Sequence, residues 1–161
     1  MDIRAIFGIS VLMGFVAFGV VAKIYIWPRV RAMQRGEALM ALLAVHMFRY
    51  MGLSFLVTGV VSASLPGEFA RPAAYGDLIA AVLAIVAVLG LAARASWAVP
   101  VVWVFNLWGT GDLLNAFYQG QTHFGVGIGA LGAAFYIPTA IVPVLLITHG
   151  LIFAVLVGGR R

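Results

Sequence analysis

The chain has 161 residues, 64% of them hydrophobic and 9% charged, where a soluble domain carries about 25% charged residues. With a mean hydropathy of +1.10, it reads as one all-α domain over residues 1–161, a polytopic integral membrane protein, and leaves no stretch for a separate water-soluble domain. The absence of cysteine excludes disulfides, thiolate metal centres and cysteine nucleophiles, while the net charge of +5 falls in short loops, where it orients helices and does not imply nucleic acid.

A membrane-spanning helix needs about 20 mostly apolar residues, and five stretches qualify, predicting a five-transmembrane-helix bundle. The first covers residues 6–27 and is closed by Pro28. Its apolar run is longer than the roughly 7–15 residues of a signal peptide core, and its basic residues follow the run, so a retained helix is expected. The second covers 37–63 and stops at the turn Ser64-Leu65-Pro66-Gly67. It carries His46, Arg49 and Tyr50, which an α-helical period places on one face, with Ser54 and Thr58 continuing the stripe. At about 1.5 Å per residue, Arg49 lies near the bilayer midplane, too deep to reach water along its own side chain.

The third span covers 75–93 and opens on Asp77, whose expected role is to cap the helix N-terminus. An acidic mouth shared with Asp112 is the alternative. The fourth, 96–118, tolerates Pro100 in its first turn and carries Asn106, Thr110, Asp112 and Asn115. Asp112 tilts back toward mid-depth and is the expected partner of Arg49, directly or through one water. A Gly-Asp-Leu triplet occurs twice, at Gly76-Asp77-Leu78 and Gly111-Asp112-Leu113, too short an echo to define a repeat.

Between the last two spans, Gly127, Gly129 and Gly132 form a G-x-G-x-x-G without the strand and βαβ unit that the dinucleotide motif needs. A flexible or partly re-entrant loop is expected there, with His123 exposed and a close helix contact through Gly125 and Gly129 as an option. The fifth span, 135–157, contains Pro138, Pro143, Thr148 and His149. Pro143 frees a backbone carbonyl near Thr139, and a kink there would open a mid-depth pocket.

Lysines and arginines set the orientation. Lys23, Arg29, Arg31, Arg35, Arg94, Arg160 and Arg161 fall on one side, against Arg4 and Arg71 on the other. The positive-inside rule then puts the N-terminus outside and the C-terminus in the cytoplasm of a bacterial-type inner membrane. Tyr25, Trp27, Tyr75, Trp97 and Tyr118 sit where interfacial aromatic belts form.

No H-E-x-x-H or G-x-S-x-G occurs, and nothing specifies a reaction. The leading expectation is an intramembrane polar pocket formed by His46, Arg49, Tyr50, Asn106, Asp112, Asn115 and His149, binding or transporting a small anionic or amphipathic molecule. Two alternatives stand beside it. His46 and His149 lie at similar depth and could ligate haem b in an electron-transfer subunit. The polar stripe could instead only pack helices, in a homo-oligomer or an accessory subunit of a larger membrane complex.

Overall fold

The computed structural model describes residues 2–123 and 127–158, without the side chains of 121–123. Five long helices account for most of them: α1 Ile3–Ala32, α2 Arg35–Leu56, α3 Gly67–Ala92, α4 Ala98–His123 and α5 Ile137–Val157. A 3-10 segment, Ile128–Phe135, precedes α5. Among the described residues, α1, α2, α3 and α5 are long and apolar enough to cross a membrane. Helix α4 has 26 residues, the same length as α3, but interrupts its apolar sequence with Asn106, Asp112 and Asn115.

Several boundaries differ from those expected. The first helix does not stop at Pro28. Pro28 lacks the N–H that would bond four residues back, and the backbone absorbs this as a π turn over Ala22–Ile26, with Trp27 N–H reaching Ala22 O. The third helix starts at Gly67, eight residues before the expected boundary, and runs through Pro72. Asp77 therefore lies in the third turn and caps nothing. The second helix ends at Leu56, well before residue 63, because Val57 turns to extended backbone and Gly59 takes a φ of +93°.

The loop after α2 has its own anchor. Ser62 N–H donates to Ala130 O and Ala133 N–H to Val60 O, tying the loop to the 3-10 segment. Gly132, with φ +51°, makes this approach feasible, since a β-carbon there would collide with the Val60 carbonyl. Gly125 and the loop residues 124–126 lie outside the described residues.

Helix α3 is the centre of the bundle, packed between α2 and α4, while α5 contacts α1, α2 and α4. Its inward face is a run of small residues, including Ala73, Ala74, Gly76, Ala80, Ala84, Ala87 and Gly90, which lets its neighbours approach closely. Helix α1 buries no residue between Ile3 and Val21. It meets α5 at Gly14, where a β-carbon would strike the Thr139 carbonyl, the acceptor that Pro143 leaves without an N–H. The expected opening at that carbonyl is thus filled by α1.

Two apolar clusters fill the two halves of the bundle. One gathers Phe55, Phe69, Leu113, Leu131 and Leu145 toward the end that carries the N-terminus. The other gathers Leu39, Leu43, Ala84, Val102, Phe105 and Ile152 toward the opposite end. At that opposite end Arg35 Nη2 donates to Leu156 O at 2.9 Å, binding the first loop to the last turn of α5. The ionisable side chains described next lie between the clusters.

Candidate functional site

The inward face of α2 follows an unexpected period. From Ala44 to Leu56 the helix is wound as 3-10, and its buried residues are His46, Arg49, Gly52 and Phe55, one every third position. Three residues per turn align i with i+3 and put i+4 on another face. Arg49 is thereby turned into the bundle, 2% exposed, while Tyr50 is turned out at 50%.

Arg49 is the hub of the site. Its Nε donates to Asp77 Oδ1 at 2.7 Å, and its Nη2 donates to Asp112 Oδ2 at 2.7 Å. Its Nη1 reaches Gly109 O and His149 Nε2, both at 3.3 Å. The pairing with Asp112 expected from depth is direct. Asp77, assigned by sequence to a cap, is a second and equally close partner.

Hydrogen bonding fixes the histidines. Asn106 Nδ2 donates to His149 O at 3.3 Å, which leaves Asn106 Oδ1 to accept from His149 Nδ1 at 2.6 Å. His149 Nε2 then carries the lone pair that faces Arg49. Thr148 Oγ1 gives its proton to the Val144 or Leu145 carbonyl, at 2.8 and 2.9 Å, and so accepts from His46 Nε2 at 2.9 Å. His46 Nδ1 is buried and has no partner among the described residues. The two imidazoles lie with centroids 4.3 Å apart, and Phe105 stacks on His149 at 5.1 Å.

Three glycines make room for these groups. A β-carbon at Gly52 would overlap the Asp77 carboxylate, and one at Gly76 would overlap the Asp112 carboxylate. At Gly109 it would lie 2.7 Å from Arg49 Nη1 and 2.7 Å from His149 Cε1. Each glycine sits on one helix and accepts a side chain from another. The repeated Gly-Asp-Leu triplet therefore has a partial meaning: both of its aspartates bind Arg49, but Gly111, unlike Gly76, faces open space.

Of the seven residues expected in the pocket, His46, Arg49, Asn106, Asp112 and His149 are brought together. Tyr50 and Asn115 are not. Asn115 belongs to the exposed stripe of α4 with Leu107, Trp108, Gly111, Leu114 and Tyr118, the face opposite the site. Ser54 is half-buried and Thr58 exposed, and neither reaches Arg49. The side chain of His123 lies outside the described residues. Asp77, Thr148 and the three glycines complete the arrangement.

A cavity of about 310 Å³ adjoins the two carboxylates. Asp77 and Asp112 form its polar lining, and Phe7, Phe55, Phe69 and Phe117 contribute aromatic walls. Arg4, exposed, also borders it. Arg49 does not line it.

The residues present do not fit a haem. Two axial iron–nitrogen bonds of roughly 2 Å across a porphyrin plane would hold imidazole centroids roughly 6 Å apart. Here they are 4.3 Å apart, with each Nε2 directed at a protein partner. The purified protein should show no Soret absorption, and a Soret band that disappears in His149→Ala would contradict this geometry.

No curated protein and no solved structure matches the chain. With residues 6–157 inside its bounds, the chain belongs to the family described as a domain of unknown function, DUF8737.

Proposed function

We propose that the chain is a five-span inner-membrane protein whose cavity binds a small amphipathic molecule. One observation carries the reading: an apolar, aromatic-walled space of about 310 Å³ meets a pair of carboxylates at its polar end. Binding sites for small organic molecules combine these features, a mostly apolar lining with a few placed polar groups. A purely structural Arg–Asp staple has no need of an adjoining cavity.

Arg49, expected from sequence to receive an anionic molecule, does not line this cavity and is held by Asp77, Asp112 and the Gly109 carbonyl. The apolar portion of the ligand would lie against Phe7, Phe55, Phe69 and Phe117, its polar portion toward the aspartates.

Helix α4 supplies the fifth span in this reading, its Asn106 and Asp112 facing the bundle and not lipid. The bundle end holding Arg29, Arg31, Arg35 and Arg94 is then cytoplasmic, and the cavity borders the outer half. Reporter fusions after residue 33 and at the C-terminus should both read as cytoplasmic. Opposite readings at the two positions would overturn the topology.

Ligand binding is tested by mass spectrometry of denatured extracts from protein purified in native lipid discs. Ala116→Phe, which places a ring in the cavity, is the blank. A small molecule enriched in the wild type and lost in Ala116→Phe supports the proposal. No molecule, or equal amounts in the two, overturns it.

A further inference from the structure

The charges at the polar end of the cavity do not balance. One guanidinium faces two carboxylates, and each carboxylate uses one oxygen on it: Asp77 Oδ1 on Nε, Asp112 Oδ2 on Nη2. Among the described residues, these bonds leave Asp77 Oδ2 and Asp112 Oδ1 unengaged. A carboxylate offers about four acceptor sites, so both retain capacity. The remaining ionisable neighbours supply no fixed positive charge at this point: His149 uses Nδ1 on Asn106 and turns its Nε2 lone pair to Arg49, and His46 is held by Thr148. Arg4 is the other cation that borders the cavity, and it is solvent-exposed.

The ionised site thus holds one surplus negative charge in a place where water is scarce. An uncompensated charge in such surroundings is costly, and a ligand that supplies the missing positive charge recovers that cost on binding. The walls point the same way. The face of an aromatic ring attracts cations, more strongly when they are desolvated, and four phenylalanine rings line this cavity.

We infer that the ligand is a monovalent organic cation with an apolar body, its charged head against Asp77 and Asp112 and its body among the phenylalanines. This rests on the reading of the cavity as a binding site. It adds the sign of the ligand's charge and the two residues that select it. The glycines fit the same picture, because Gly52 and Gly76 let the two carboxylates approach Arg49 while both still border the cavity.

The test uses two molecules of one shape. 4-Fluorobenzyltrimethylammonium carries a fixed positive charge, and 4-fluoro-neopentylbenzene replaces its nitrogen by carbon. Binding of each to the full chain in lipid nanodiscs is followed by fluorine NMR, with Ala116→Phe as the blank. The cation should bind at least tenfold more tightly than the neutral isostere. Asp77→Asn and Asp112→Asn each leave Arg49 one carboxylate and remove the surplus, so each should reduce the preference to within about threefold of unity.

Equal affinities in the wild type, or a preference that survives in both Asn variants, would overturn the inference while leaving a binding cavity in place. Failure of both molecules to bind above the Ala116→Phe blank would overturn the cavity reading as well. The wild-type comparison decides the sign of the charge even where an Asn variant does not fold.

Discussion

Arg49→Met should destabilise the protein by about 3–5 kcal/mol, the cost of breaking a buried ion pair and leaving its partners uncompensated. Asp77 and Asp112 would then face each other across an apolar side chain, at side-chain exposures of 10% and 12%. Like charges in that position repel. Reversible unfolding in mixed micelles is the measurement. Adding Asp77→Asn and Asp112→Asn to Arg49→Met should recover more than half of the loss, because neutral amides need no counter-charge. A cost below about 1 kcal/mol for Arg49→Met, judged against that buried-pair scale, would show that the guanidinium is not what holds α2, α3 and α4 together.

The glycine preceding each aspartate provides the second large effect, with an internal control. Gly76→Ala puts a β-carbon into the Asp112 carboxylate. The carboxylate must move, and overpacking of this kind costs about 1–3 kcal/mol before the loss of the Arg49 bond is counted. Gly111→Ala meets nothing within 4 Å. It removes a helical glycine and should stabilise by up to about 1 kcal/mol. The two substitutions are chemically identical and fall at equivalent places in the repeated triplet, so their opposite signs isolate the contact. Equal effects at the two positions would contradict the packing of α3 against α4.

Much of the architecture was legible because long apolar runs bounded by turn residues permit few solutions. Apolar runs, turn residues and arginine placement located five long helices, with ends misplaced by as many as eight residues. The errors have separate causes, the end of α2 being set by Val57 and Gly59. Pro28 read as punctuation, but a helix can accommodate a missing N–H through a π turn, as over Ala22–Ile26. Once α3 was started late, Asp77 looked like a cap. The need for an acceptor near Arg49 was visible in the sequence, and the direct bond to Asp112 follows from it.

The site was legible where chemistry forced it and obscure where geometry chose. A charged residue at mid-depth must be paired, so Arg49, Asp112 and the two histidines could be named. Tyr50 was drawn in by an α-helical period that α2 abandons after Leu43. Gly52, Gly76 and Gly109 carry no chemistry of their own and acquire a role only once the neighbouring helix is known. A glycine at i+3 from a buried arginine was the available signal for Gly52.

The 3-10 winding of α2 also settles a matter of length. Helices α3 and α4 contain 26 residues each and extend about 39 Å at 1.5 Å per residue. Helix α2 has 22 residues, which as a regular α-helix would extend about 33 Å. Nine of them, Arg35–Leu43, are α-helical, and thirteen, Ala44–Leu56, rise about 2.0 Å each. The sum is about 40 Å. By stretching its second half, the shorter helix matches the reach of its two longer neighbours, and this extra rise carries Arg49 toward the level of the aspartates it binds.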